Sequence, residues 1–301
     1  MPVLINMEIA GINLALSCRD PISLRKLPAT YKSFLEKIDP IKETISINID
    51  LVFDNIPDIK DMTKVFDTGE SWSMFMNGDE YFIALNPPAL KGKIVWLAQF
   101  NRHFETATIY CGNLLTDKAG SNTEVTNPFQ YPLDQILLIY LMSQREGALI
   151  HAAGIDINGR GYIFPGKSGA GKSTLTRQFT SIKNMEFLSD DRVVIRKIDR
   201  TFKVFGTPWA GEAGIAKNKN ILLYGIFFIH QGTENKIKEI KPAEAFERLM
   251  PVTSIPWYDR EIMTRILDFC DDIISNIPAY ELQFKPDDEI VDVFKNFISK
   301  Q

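Results

Sequence analysis

The chain is poor in cysteine and has no long apolar segment at its start. Its three cysteines, Cys18, Cys111 and Cys270, lie far apart and show neither metal-binding nor redox spacing. An odd and scattered set of cysteines argues against a disulfide framework and is typical of a reducing compartment. The first residues also lack the basic and apolar regions of a signal peptide. These absences predict a cytoplasmic protein.

Long apolar runs and blocks of like charge are also missing. The longest apolar runs, such as 136–142, are far shorter than the ~20 residues that a membrane span needs. The 34 basic and 38 acidic residues give a net charge of -4 without a basic arm. We therefore expect neither a membrane nor a nucleic acid as partner. The 301 residues have globular composition, and their number predicts about two domains.

Residues 1–125 are predicted to form a strand-rich accessory domain. Asn77 and Gly78 separate two apolar runs, which is a strong hairpin signal. The polar stretch 117–128 is rich in turn residues and is predicted to be an exposed, mobile linker between the domains. Period-two alternation and apolar runs predict strands or hairpins in four segments: 44–53, 72–85, 93–100 and 106–112.

Residues 126–301 are predicted to mix strands and helices, which makes the fold α/β or α+β. A helix is expected at 132–147, and two strands are expected within 149–166 around a turn at Asn158 and Gly159. Further strands are predicted at 193–198, 202–206, 221–229 and 280–284, and further helices at 242–250, 259–275 and 288–297.

The segment from Gly166 to Ser173 matches G-x-x-x-x-G-K-[ST], the phosphate-binding P-loop or Walker A motif. Glycines let successive backbone N–H groups point at phosphate oxygens, and the lysine neutralises the outer phosphates. A strand precedes the motif and a helix follows it, as phosphate binding at a helix start requires. The alternative is a glycine-rich turn that binds nothing. The predicted nucleotide-binding residues are Gly166, Lys167, Ser168, Gly169, Ala170, Gly171, Lys172, Ser173 and Thr174.

Three further polar residues are candidates for chemistry. Asp190 and Asp191 follow a short apolar segment, and such a pair can divide metal binding and proton transfer between them. Adjacent strand residues point to opposite faces, so both roles require a backbone turn there. His151 lies on the strand before the hairpin that leads to the P-loop. The alternatives are that the two aspartates form a solvated acidic turn and that His151 is a buried core residue.

Together these residues resemble the catalytic domain of the bacterial HPr serine kinase/phosphorylase, which has the phosphoenolpyruvate carboxykinase-like fold. The resemblance runs from about residue 148 to 216 and rests on His151, the P-loop and the run from Asp190 to Val193. It implies a P-loop kinase domain over 126–301. The whole chain resembles the HPr kinase-related proteins found beside radical-enzyme and peptide-modification genes.

The resemblance also implies roles for individual residues, with ATP and Mg²⁺ as cofactors. Lys172 and the loop amides would bind phosphates, and Ser173 and Asp191 would hold Mg²⁺, with Glu212 as a further acidic ligand. Asp190 would be the general base, with His151 as its supporting partner. Lys172 is expected to face solvent in the empty loop.

The function expected is an ATP-dependent, Mg²⁺-assisted kinase for a hydroxyl group, with serine favoured. Its acceptor would be a protein or peptide, such as a modified-peptide precursor or a carrier protein, and the kinase is compatible with a homo-oligomer. Two alternatives stay open: a nucleotide-gated peptide-binding module without phosphotransfer, and a small-molecule kinase. An intact base and its histidine partner favour an enzyme, because binding alone needs neither.

Overall fold

The computed structural model describes residues 3–35, 45–53, 56–119, 122–167 and 169–300, and these form a mixed α/β fold. The chain divides into two compact units, Met1–Leu141 and Met142–Gln301. The boundary between these units lies at 141/142, and the boundary predicted from the sequence lies at 125/126. Most of the helix after the polar stretch lies in the first unit, where its Tyr140 stacks on Phe104 with ring centroids 4.3 Å apart.

The first unit is built mainly from two sheets. The elements are β1 (Val3–Ile9), β2 (Ile12–Cys18), β3 (Ile22–Leu24), β4 (Ile45–Phe53), β5 (Thr63–Asp67), β6 (Trp72–Asn77), β7 (Glu80–Leu85), β8 (Trp96–Phe100), β9 (Thr106–Cys111), β10 (Thr116–Ala119), β11 (Asn122–Val125) and α1 (Leu133–Ser143). Short 3-10 helices lie at Ala29–Phe34, Pro88–Leu90 and Asn113–Leu115. Within the described residues, the larger sheet has the strand order β1-β2-β4-β9-β8-β7-β6-β5, and the smaller has the order β10-β11-β3.

The predicted strands of this unit are confirmed, apart from Thr44, which lies outside the described residues. The predicted hairpin is also confirmed, but its turn is one residue later. Asn77 pairs with Glu80, so the two turn residues are Gly78 and Asp79, and Gly78 has a φ of 59°. A positive φ at this position explains why the turn uses glycine.

The predicted linker at 117–128 is wrong. Strands β10 and β11 pair antiparallel within it, and β11 also pairs parallel with β3. Arg25 forms ion pairs with both Asp117 and Glu124 across this small sheet. Val125 is fully buried. A short hairpin whose side chains are largely polar lacks the apolar alternation by which a strand is recognised in sequence.

The second unit is organised around two long strands. The elements are β12 (Gly147–Ile157), β13 (Arg160–Pro165), α2 (Lys172–Phe179), β14 (Met185–Ser189), β15 (Arg192–Ile198), β16 (Thr201–Gly206), β17 (Asn220–Gln231), β18 (Lys236–Glu239), α3 (Pro242–Leu249), α4 (Arg260–Asn276), β19 (Ala279–Phe284) and α5 (Glu289–Ile298), with a 3-10 helix at Met250–Val252. Residues of β12 pair with β13, β14 and β15, and residues of β17 pair with β13, β16 and β19.

The strands and helices predicted in this unit are confirmed, and so is the turn between β12 and β13. Asn158 and Gly159 have φ values of 53° and 84°, the two positive values of a type I′ hairpin turn. The Asp156 carboxylate accepts a 2.8 Å hydrogen bond from the Gly159 amide. This turn aligns β13 so that its carboxyl end enters the P-loop.

A cluster of aromatic rings lies beneath the P-loop. Phe164 on β13, Phe179 on α2 and Phe227 on β17 all contact Phe294 of α5, with ring centroids between 4.8 and 5.6 Å apart. All four rings are at most 1% exposed. The strand before the P-loop and the helix after it are therefore fixed to the same core.

In the described part of the chain, no helix is long and apolar enough to cross a membrane.

Replacing Phe294 by alanine should destabilise the second unit by roughly 3–5 kcal/mol, because the ring is fully buried and its removal leaves a cavity. Phe294→Leu should cost less, and Phe297→Ala, on the same helix but only partly buried, should also cost less. Urea unfolding of the three variants measures the free energies of unfolding. Equal losses for Phe294→Ala and Phe297→Ala would contradict this description of the core.

Candidate functional site

The P-loop connects β13 to α2 and is shaped by its glycines. Gly171 precedes α2 with a φ of 102°, and a Cβ added to it would lie 2.6 Å from Cζ of Phe284. A Cβ on Gly166 would lie 2.9 Å from the Cβ of Ala170. No larger residue fits these two positions without displacement of its neighbours. Ser168, which was also predicted to bind nucleotide, lies outside the described residues.

Lys172 is folded back onto the loop that precedes it. Its Nζ donates hydrogen bonds to the carbonyl oxygens of Gly166 at 2.6 Å and Lys167 at 3.3 Å. The residue is only 8% exposed, so the prediction that it faces solvent is wrong. Burial lowers the pKa of Lys172, and the negative charge of Asp191 opposes this effect. A phosphate that enters the loop must compete with the two carbonyls for this ammonium group.

His151 pairs with Asp191. Its Nε2 lies 2.7 Å from Oδ1 of Asp191 and 3.0 Å from Nζ of Lys172. The register of β12 against β15 places His151 opposite Arg192, which brings the preceding Asp191 beside the imidazole. The resemblance implied His151 as the partner of Asp190, whereas the imidazole contacts Asp191.

One nitrogen of His151 thus faces both a carboxylate and an ammonium group. Burial raises the pKa of Asp191, but the hydrogen bond and charge of His151, together with the cations Arg192 and Lys172, hold the pKa below its usual range. An ionised carboxylate can only accept, so Nε2 must carry the proton if it is to bond to Asp191. Lys172 then donates to the loop carbonyls rather than to the histidine.

Asp190 has a different environment from its neighbour. Its carboxylate accepts hydrogen bonds from three backbone amides: Gly211 at 2.8 Å, Ala213 at 2.7 Å and Ile215 at 3.2 Å. The residue is 5% exposed. Asp190 therefore holds the loop 211–215 against the site, which leaves its oxygens little capacity to act on a substrate.

The side chains of Asp190 and Asp191 have different partners because the backbone turns between β14 and β15. The Ser189 hydroxyl accepts hydrogen bonds from the amides of Asp191 at 3.4 Å and Arg192 at 3.3 Å, which closes this turn. Arg192 is placed by two contacts. Its Nε lies 3.5 Å from Oδ2 of Asp191, and its Nη1 donates to the Ser254 hydroxyl at 3.4 Å.

One cleft of about 480 Å³, a volume within the range of ligand-binding pockets, is lined by His151, Lys172, Asp190, Asp191 and Arg192. Of the predicted site residues, Gly166, Lys167 and Ala170 belong to the loop but do not line the cleft. Four lining residues were not predicted as site residues: Arg177, Arg192, Gly211 and Gln231. Arg177 follows Ser173 by one helical turn, which is a usable signal, whereas Gln231 arrives from the end of β17. The lining residues are His151, Gly169, Gly171, Lys172, Ser173, Thr174, Arg177, Asp190, Asp191, Arg192, Gly211, Glu212 and Gln231.

The predicted metal ligands share this cleft but do not form a metal cage. Among the residues that the structure describes, no group of three or more His, Cys, Asp or Glu side chains could hold a metal ion. Ser173, Asp191 and Glu212 all line the cleft and offer hydroxyl and carboxylate oxygens. Mg²⁺ takes such ligands and commonly binds through one or two carboxylates plus substrate phosphates. The residues present therefore fit Mg²⁺ that binds together with a phosphate-bearing ligand.

Comparison with known proteins identifies no relative of this chain. No family model matches the chain, and no curated protein matches it.

Asp190→Asn should loosen the loop 211–215, because an asparagine has a single acceptor oxygen for three amide donors. The loss should be roughly 1–3 kcal/mol of local stability, seen by NMR as faster hydrogen exchange at the amides of Gly211, Ala213 and Ile215. Asp191→Asn is the matched control and should leave these amides unchanged. Equal exchange rates in the two variants would contradict the structural role of Asp190.

Proposed function

We propose that this chain is an ATP-dependent, Mg²⁺-assisted kinase that phosphorylates a hydroxyl group, most simply a serine of a protein or peptide. The observation that carries the proposal is the position of His151 in the cleft beside the P-loop. Its Nε2 lies 3.0 Å from Nζ of Lys172 and 2.7 Å from Oδ1 of Asp191. The resemblance to HPr kinase and its phosphoenolpyruvate carboxykinase-like P-loop fold supports the same reading.

The loop and the start of α2 supply the phosphate-binding groups. Backbone N–H groups at a helix start attract anions, and Lys172 exchanges its carbonyl partners for phosphate oxygens. Mg²⁺, held by Ser173 and Glu212 with the phosphates, would neutralise charge on the transferred group. Arg192 and Arg177 line the same cleft and add positive charge to it. Phosphoryl transfer depends mainly on such positioning and charge stabilisation.

Asp191 is the proton acceptor in this proposal. As the acceptor oxygen forms its bond to the γ-phosphorus, the bond from phosphorus to the bridging β–γ oxygen breaks, and the hydroxyl proton passes to the Asp191 carboxylate. His151 positions that carboxylate through its 2.7 Å contact. The proposal gives Asp191 the role of base that the resemblance implied for Asp190, because Asp190 already accepts three amide hydrogen bonds.

Lys172→Met should weaken Mg-ATP binding by roughly ten- to a hundredfold, since it removes a charge-assisted contact to phosphate but keeps the apolar stem. Isothermal titration calorimetry measures the affinity. Lys167→Met is the control, because the Lys167 side chain is exposed and only its carbonyl contacts Lys172. Equal affinities in both variants, or no binding of Mg-ATP to the natural sequence, would contradict a nucleotide site at this loop.

Transfer itself is tested with ATP labelled in its γ-phosphate, serine peptides encoded near this gene, small hydroxyl compounds, and phosphosite mapping. Asp191→Asn should lower the rate of transfer by roughly 10²–10⁴-fold, the usual contribution of a general base, and His151→Gln by less. A serine phosphosite supports the peptide acceptor, and label on a small compound supports the small-molecule kinase. Unimpaired transfer by Asp191→Asn would exclude Asp191 as the base. Binding of Mg-ATP without transfer to any acceptor would favour the nucleotide-gated binding module.

A further inference from the structure

A second cavity in the same unit lies at the opposite end of β13 from the P-loop. It has a volume of about 520 Å³ and is bounded by the hairpin turn of β12 and β13, the segment after α2 and the end of α5. Arg160 begins β13 and Pro165 ends it, so the cavity and the P-loop are separated by roughly the 17 Å length of that strand. The two sites are therefore distinct.

The floor of this cavity is largely apolar and buried. Ile157, Tyr162, Ile182 and Ile298 line it, and each is at most 9% exposed. Such a floor suits the body of an organic ligand, because apolar contact with a buried surface excludes water from it.

The rim of the cavity carries three positive charges and no negative one. Arg160, Lys183 and Lys295 are the charged residues that line it. Within the described ranges, none of the three forms an ion pair. Asp156, on the adjoining strand, is already paired with Lys219 at 2.8 Å, so it does not neutralise Arg160.

Arg160 is held in place by aromatic neighbours rather than by a carboxylate. Its guanidinium carbon lies 5.3 Å from the ring centroid of Tyr224. A hydrogen bond between Arg160 and Tyr162 also opposes the rise in the pKa of Tyr162 that burial causes. An arginine fixed in this way keeps its full charge and presents its donors in a defined orientation.

We propose that this cavity binds an organic phosphate, with the phosphate on the three cations and an apolar or aromatic body on the isoleucine floor. Three uncompensated charges match the two negative charges of a phosphate monoester better than a single carboxylate. The inference does not depend on the proposed kinase activity. A soluble phosphate ester and a lipid phosphate share this chemistry, so both are tested.

The test uses the full chain carrying Lys172→Met, which weakens phosphate binding at the P-loop. Calorimetry compares phenyl phosphate, dihexanoyl phosphatidic acid, inorganic phosphate and phenol. At least one of the two organic phosphates should bind more than tenfold tighter than inorganic phosphate or phenol, because only they occupy the floor and the rim together. The tighter of the two identifies the source of the phosphate, ester or lipid.

Charge reversals locate the binding. Lys183→Glu and Lys295→Glu should each lower the affinity for the organic phosphate by about tenfold, as expected for loss of a charge-assisted contact. Lys300→Glu, at an exposed lysine outside the lining, is the control and should leave the affinity unchanged. Absence of saturable binding at millimolar concentration, or equal affinities for all three variants, would overturn the proposal.

Discussion

The Nε2 atom of His151 lies within hydrogen-bond distance of both the Asp191 carboxylate and the Lys172 ammonium, and one nitrogen cannot bond to both in the same way. With Asp191 ionised, the proton on Nε2 points to the carboxylate, and Lys172 turns to the carbonyls of Gly166 and Lys167. Two carbonyl oxygens of the loop thus accept hydrogen bonds from its own lysine. A phosphate must replace those carbonyls as the hydrogen-bond partner of Lys172, and this links ligand binding to the shape of the loop.

The rest of the second unit keeps these three groups in place. The register of β12 against β15 brings Asp191 to His151, and the aromatic cluster around Phe294 fixes the strand and helix on either side of the loop. Asp190 anchors the loop 211–215, which supplies Gly211 and Glu212 to the cleft. Buried polar contacts of this kind are costly to break, so they favour a single arrangement of the site.

Features set by neighbouring residues could be predicted from the sequence. The turn at Asn158 and Gly159 and the P-loop between strand and helix depend on local chemistry, and both are present. The partner of His151 could not be predicted, because it depends on the register of two strands forty residues apart in the chain. Gln231 enters the cleft through the sheet topology, which no local pattern records. The hairpin within 117–128 was missed because its side chains are largely polar.

The tautomer of His151 is the most direct measure of this arrangement. Nitrogen-15 NMR distinguishes a protonated from an unprotonated ring nitrogen, and the chain has only three histidines, so His151→Gln assigns the signal. At a pH well above that at which a free imidazole titrates, the spectrum should show a proton on Nε2, both without ligand and with Mg-ATP bound. A proton on Nδ1 alone would mean that Nε2 accepts from Lys172, and it would contradict the pairing of His151 with an ionised Asp191.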